Sequence, residues 1–270
     1  MDLQLSGQVA VVVGGARGMG RAIAEAFLAE GCSAVVLDRD LEVERVDSSG
    51  IGEGRLARSV SLVVDATDLA AMRGAEEEIR GRFGRCDHVV YAAAVGSGKF
   101  GMPFWGLEPA DWGQVLQVNL LGAVNTAHAF APNMAAARAG TLLFLASVAG
   151  QIGSQTDPPY SASKAGLINF AQCAAKDLAP SGVRVNTLCP GMVKTALNRS
   201  VYEAWAARVP AEERLSYEAW SAEKIQRLVP LGRWQDADDI AAMTVFLASP
   251  RAKNVTGQTI NVDGGYVMHW

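Results

Sequence analysis

Cysteine and histidine are scarce in this chain of 270 residues, with four of the first and three of the second. Cys32, Cys86, Cys173 and Cys189 show no CxxC spacing, which suits reduced, structural thiols rather than a disulfide framework. Only Cys189 stands out, because it lies beside a candidate ligand loop. His88, His128 and His269 share no metal-ligand spacing with cysteines or carboxylates, so no metal site is expected. Half of the residues are hydrophobic, yet the apolar runs are short and broken by Gly, Arg or Asp. None approaches the roughly 20 residues needed to span a bilayer, and no membrane association is expected. The first residues, Met1 to Gly7, lack a basic stretch followed by an apolar core, so a cytoplasmic location is expected. The net charge of −4 offers no basic surface, and no nucleic-acid partner is expected. Arg80, Arg82 and Arg85 read as the solvated end of a helix.

What is present is a regular alternation of short, buried strand patterns with longer helical ones, the signature of a parallel sheet covered on both faces. Strands are expected at 8–13, 33–37, 59–64, 88–92, 141–146, 183–188 and 258–262. Helices are expected at 19–30, 68–83, 109–137, 160–178 and 237–248. The length suits one domain over residues 1–270. Residues 196–228 break the alternation; they are helix-prone and carry Tyr202, Trp205, Tyr217 and Trp220. Such a segment is either a lid over a substrate or a helix pair packing its aromatics on the domain or a partner subunit.

Two clusters carry chemistry. Tyr160 and Lys164 lie four residues apart on a helical pattern, so phenol and ammonium share one face, where the cation can bring the phenol towards working pH. Alone, the pair is better explained by a solvated helix face. Gly14, Gly18 and Gly20 follow the first strand and open a helix, and that position suits backbone approach to a pyrophosphate at the helix N-terminus.

The spacing Gly14-x-x-x-Gly18-x-Gly20 with Tyr160-x-x-x-Lys164 resembles the short-chain dehydrogenase/reductase family. The resemblance continues through Asn119 in Val118-Asn119-Leu120, Ser147 in Leu145-Ala146-Ser147-Val148, Pro190-Gly191-Met192-Val193-Lys194-Thr195, Val255-Thr256-Gly257 and Val262-Asp263-Gly264-Gly265. It therefore covers essentially the whole chain, and implies an α/β fold built on a single doubly wound Rossmann-type parallel sheet. By this resemblance Asn119, Ser147, Tyr160 and Lys164 form a catalytic tetrad. Tyr160 is the acid/base, Ser147 donates to the substrate oxygen, Lys164 holds the nicotinamide ribose, and Asn119 organises a water route to Lys164.

The resemblance also implies a nicotinamide dinucleotide held by Gly14, Arg17, Gly18, Met19 and Gly20. Asp38 and Arg39 follow at the end of the second strand, Asp65 and Ala66 at the third, and Ala92 and Ala93 at the fourth. Tyr160, Lys164, Pro190, Gly191, Val193 and Thr195 complete the set. Asp38 can accept from the ribose hydroxyls and would repel a 2′-phosphate, which favours NAD over NADP, although Arg17 and Arg39 lie near enough to serve such a phosphate. Asp65 either contacts adenine or merely ends its strand.

The expected activity is interconversion of a small secondary alcohol and a ketone. A sugar or polyol substrate remains open, since Phe100, Phe104, Trp105, Gln151, Pro158, Pro159, Met192 and the aromatics of 196–228 can serve either. A dinucleotide-sensing regulatory protein is the alternative of another class, and the intact tetrad argues against it. By analogy the assembly is a homotetramer, with the tail Tyr266 to Trp270 able to reach a neighbour's active site. Two segments depart from the family. Val13 replaces the usual Thr, and Tyr91-Ala92-Ala93-Ala94 replaces Asn-Asn-Ala-Gly, which suggests that apolar packing has taken over from hydrogen bonding there.

Overall fold

The computed structural model describes residues 1–41 and 59–269. Trp270, the last residue of the tail considered above, lies outside the described residues. Among the described residues, seven strands form one sheet: β1 (Val9–Val13), β2 (Ser33–Asp38), β3 (Ser59–Val63), β4 (His88–Tyr91), β5 (Thr141–Leu145), β6 (Arg184–Pro190) and β7 (Thr259–Val262). Their order is β3-β2-β1-β4-β5-β6-β7, and every pairing is parallel. The strand order reverses between β1 and β4, and the crevice at that switch point is where open α/β sheets bind ligands.

The helices are α1 (Gly18–Ala29), α2 (Leu69–Phe83), α3 (Ala110–Leu116), α4 (Gly122–Ala137), α5 (Pro158–Leu178), α6 (Ala196–Ala206), α7 (Tyr217–Leu228) and α8 (Ala237–Ala248). They start where local chemistry lets them. Asp68 accepts from the N–H groups of Ala70 and Ala71 at the head of α2, and Asp236 and Asp239 form a capping box on α8. Pro158 and Pro159 open α5, where their missing N–H groups cost no helical bond.

Side chains alternate along each strand, so the buried strands feed two cores. Val9, Val11, Val13, Val35, Val89 and Phe144 meet Met72 and Ile79 of α2, Phe130 of α4 and Leu167 of α5. On the opposite face Ala10, Val12, Val36, Val90 and Leu143 meet Ile23 and Phe27 of α1 and Ile240 and Val245 of α8.

The helix expected over 109–137 is interrupted. Gln117–Leu121 form a π-helical turn between α3 and α4. Tyr91, at the end of β4, donates its hydroxyl to the carbonyl oxygen of Val118 at 2.5 Å. Gly122 makes room, because a Cβ there would lie 2.2 Å from that hydroxyl oxygen. Apolar replacement of the usual family contacts is therefore only half of the answer. Val13 is apolar and buried, whereas Tyr91 keeps a hydrogen bond by reaching into the next helix. No helix among the described residues is long and apolar enough to cross a membrane.

Candidate active site

The registers of the central strands set the site. Val13 pairs with Leu37 on one side and Tyr91 on the other, so Gly14, Asp38 and Ala92 emerge together at the C-terminal edge. Gly14 has φ of +79°, and a Cβ there would lie 2.5 Å from the backbone nitrogen of Ala93. Gly20 is as constrained, since its Cβ would come within 2.1 Å of the Gly14 carbonyl oxygen. Gly18, with φ of +57°, opens instead on empty space, with nothing within 4 Å of where a side chain would start.

The head of α1 has no side-chain cap and no acidic residue in its first turn. An uncapped helix N-terminus approached by bare glycine backbone is chemically matched to a pyrophosphate, so the residues present fit a dinucleotide. Arg17 and Arg39 are exposed on either side, Met19 is half-buried, and Asp38 accepts from the Ala16 N–H at 3.1 Å. Asp65 accepts from the Thr67 N–H and hydroxyl, both at 2.8 Å, and these bonds hold its carboxyl below the usual range. The carbonyl of neighbouring Ala66 accepts from Asn125.

Tyr160 and Lys164 sit on the first turns of α5. Lys164 is 1 % exposed, donates to the Leu145 carbonyl at 2.6 Å, and lies 5.5 Å from the Tyr160 ring centroid. Ser147, just beyond β5, accepts from the Ala149 N–H, and its hydroxyl faces the Tyr160 phenol closely enough to act on its acidity. Asn119 is fully buried in the π-helical turn. Its carbonyl oxygen accepts from the Val95 N–H at 2.8 Å, and its amide donates to the Val95 carbonyl and the Ser163 hydroxyl. The proposed tetrad residues are thus spread over three elements that converge at one sheet edge.

Burial pushes the Tyr160 phenol up to about 12; the Ser147 hydroxyl opposes this, while Asp157 and Cys189 add to it. Burial likewise brings the Lys164 ammonium down to about 8. The ammonium is braced on the Leu145 carbonyl while it stays beside the Tyr160 ring. Cys189 is buried at the end of β6, and burial raises its thiol to about 12, which marks it as inert at neutral pH.

Beyond β6, Pro190, Gly191, Val193 and Thr195 border the same edge. Gly191 donates to Val262 O, Val193 bridges Gln235, and Thr195 caps α6 by accepting from Asn198. Gln235 was not visible as a functional position in the sequence. It supports this loop by donating its N–H to the Met192 carbonyl, and a Cβ on Gly191 would strike its side chain at 2.8 Å.

Asp157 also escaped sequence reading. It is 5 % exposed, three residues before Tyr160, and its Oδ2 accepts from the Ser97 N–H at 2.9 Å while Oδ1 has no hydrogen-bond partner. The only signal was its place before Pro158-Pro159, where an ordinary helix cap is expected, and its side chain caps nothing there.

The expected substrate-lining residues separate into different places. Phe104 and Trp105 are 66 % and 76 % exposed, and line a cleft of about 770 Å³ with Gln151 and Pro158 on a face of α5 that excludes Tyr160. Phe100 instead joins Trp205 and Trp220 around a second cleft of about 450 Å³. Gln151 exchanges hydrogen bonds with Asn261 at 2.7 and 3.0 Å, and His269 Nε2 lies 3.1 Å from Gln151 Oε1. The described part of the tail accordingly lies against its own chain. It is tied there because Val267 donates its N–H to Asp263 and accepts from Asn261.

Comparison with known proteins agrees with this architecture. Residues 14–267 match a family model described as Enoyl-(Acyl carrier protein) reductase. The 3-oxoacyl-(acyl-carrier-protein) reductase FabG of Salmonella typhimurium is 30 % identical over 266 residues, covering 98 % of this chain and 100 % of that protein. Galactitol 2-dehydrogenase of Agrobacterium fabrum is 34 % identical over 271 residues, with coverage of 98 % and 100 %. A crystal structure of NAD+-bound xylitol dehydrogenase superposes with a TM-score of 0.87 at 27 % identity, covering 97 % of this chain and 100 % of that one. With its all-parallel sheet, its glycine turn at the switch point and this extent of likeness, the chain belongs to the short-chain dehydrogenase/reductase family of oxidoreductases.

Proposed function

We propose that the protein is an NAD-dependent oxidoreductase that interconverts a secondary alcohol and a ketone, with Tyr160 as the acid/base. The observation that carries this reading is the convergence of Ser147, Tyr160, buried Lys164 and the glycine turn on one sheet edge. In the direction of oxidation the Tyr160 oxygen takes the hydroxyl proton of the substrate, and in reduction it returns one. Ser147 donates to the same substrate oxygen and opposes the burial that makes the phenol a weak acid. Lys164, braced on Leu145, holds the ribose side of the cofactor. Asn119 pins the loop at Val95 to the helix turn, so that the floor of the site does not shift.

A nicotinamide dinucleotide held by Gly14, Gly18, Gly20 and the loop 190–195 supplies hydride exchange with the carbinol carbon. Asp38 at the end of β2 supports NAD, because its carboxylate would repel a 2′-phosphate. A polyol substrate is the second reading, supported by the likeness to galactitol 2-dehydrogenase and xylitol dehydrogenase. We further read residues 1–270 as one domain with 196–228 as its substrate cover, acting as a cytoplasmic homotetramer. Exposed Phe104, Trp105, Leu121 and Ile152 support association, and four unpaired cysteines suit a reducing compartment.

Initial rates with secondary alcohols, diols and polyols test the activity. Wild-type protein is expected to reduce NAD+ in preference to NADP+, and Tyr160→Phe to lose about 10²- to 10⁴-fold in kcat. A variant as active as the wild type would remove Tyr160 from the mechanism.

A further inference from the structure

We propose that the cover segment and the loop after β4 form an anion-binding subsite, so that the substrate carries a carboxylate or phosphate away from its reacting carbinol. This inference rests on the oxidoreductase reading and refines its substrate class.

The cleft of about 450 Å³ lies between Phe100, Gly101 and Thr156 on one wall and the helices α6 and α7 on the other. Its volume suits a small-molecule group rather than a protein segment. Three cations converge on it: Arg208 from just after α6, and Lys224 and Arg227 from one face of α7, three residues apart. The Arg208 guanidinium lies against the backbone of Gly101, where a Cβ would meet its Nη2 at 2.7 Å. Lys224 is laid over the Trp220 ring, 4.1 Å from the centroid.

No carboxylate among the described residues forms an ion pair with any of the three. Glu223 is the one acidic residue on the cleft wall, which leaves the lining with a surplus of positive charge. A solvated helix face holds long cations apart and mobile. Here Arg208 and Arg227 are exposed at the cleft, Lys224 is half-buried, an aromatic ring orients it, and burial with the neighbouring Arg227 lowers its ammonium. An anion relieves that repulsion, and the two guanidinium groups suit the planar or tetrahedral oxygens of a carboxylate or phosphate.

Position gives the cleft its meaning. Gly101 donates its N–H to the Thr156 carbonyl at 2.6 Å, and Thr156 precedes Asp157, three residues from Tyr160. In this proposal a hydroxy acid or a phosphorylated polyol presents its carbinol to Tyr160 while its charge rests against α7.

The test is direct binding of inorganic phosphate, and of acetate in a parallel arm, to protein saturated with NAD+. Trp205 and Trp220 line the cleft and supply the fluorescence signal. Expected is saturable, salt-weakened binding in the wild type, at least tenfold weaker in Lys224→Gln/Arg227→Gln and in Arg208→Gln. Lys224→Arg/Arg227→Lys is expected to bind within threefold of wild type. The preferred arm identifies the anion as phosphate or carboxylate. Absence of saturable binding in the wild type, or equal binding by the glutamine variants at unchanged melting temperature, would overturn the subsite. Binding requires no turnover, so its failure is distinguishable from failure of the oxidoreductase reading.

Discussion

Asp157 is a buried carboxylate beside the phenol proposed as the acid/base. Burial raises its carboxyl, and its charge helps to raise Tyr160. Asn keeps an oxygen for the Ser97 N–H but removes the charge. A lowered Tyr160 pKa means that phenolate becomes available at lower pH, so Asp157→Asn should move the rising limb of the oxidation kcat/KM profile to lower pH. A profile that stays in place would show that Asp157 has no electrostatic hold on Tyr160. The sequence names Tyr160, because its spacing to Lys164 and Ser147 is local or patterned. It does not name Asp157, whose role depends on a chain crossing from Ser97, 60 residues away.

At the scale of elements, strands were legible because burial on both faces demands continuous β-branched runs, as in Val9–Val13. The π-helical turn was not, since nothing in Gln117–Leu121 distinguishes it from ordinary helix. Its cause is tertiary: Tyr91 reaches the Val118 carbonyl, and Asn119 turns inward to Val95 and Ser163. Tyr91→Phe would leave that carbonyl without its buried partner, which costs about 1–3 kcal/mol. A lowered denaturant midpoint at unchanged m-value is expected, together with weaker turnover as the Asn119 turn loosens. A midpoint equal to wild type would mean that water or a neighbouring donor replaces the phenol.

For the whole molecule, parallel topology gathers the glycine turn, Asp38, Ser147 and the loop 190–195 on one edge, although they are separated by most of the chain. A dinucleotide seated there would bridge both halves of the sheet and bind only the folded state. At 100 times Kd it should stabilise by about 2.7 kcal/mol, and the melting temperature should rise by several degrees. NAD+ is expected to give the larger shift than NADP+ at equal concentration. An equal or larger shift with NADP+ would assign the Asp38 carboxylate to its hydrogen bond with Ala16 rather than to cofactor choice.

By itself the sequence determined the fold class, the glycine turn and the Tyr160–Lys164 and Ser147 positions, because short-range period, turn chemistry and fixed spacing are written along the chain. The tertiary structure decided which side chains meet across it. It placed the Lys164 ammonium on Leu145, Phe104 and Trp105 away from Tyr160, Phe100 with α6 and α7, and three cations from two segments around one cleft. Those contacts join residues distant in sequence, and only packing of the layers against one another brings them within reach.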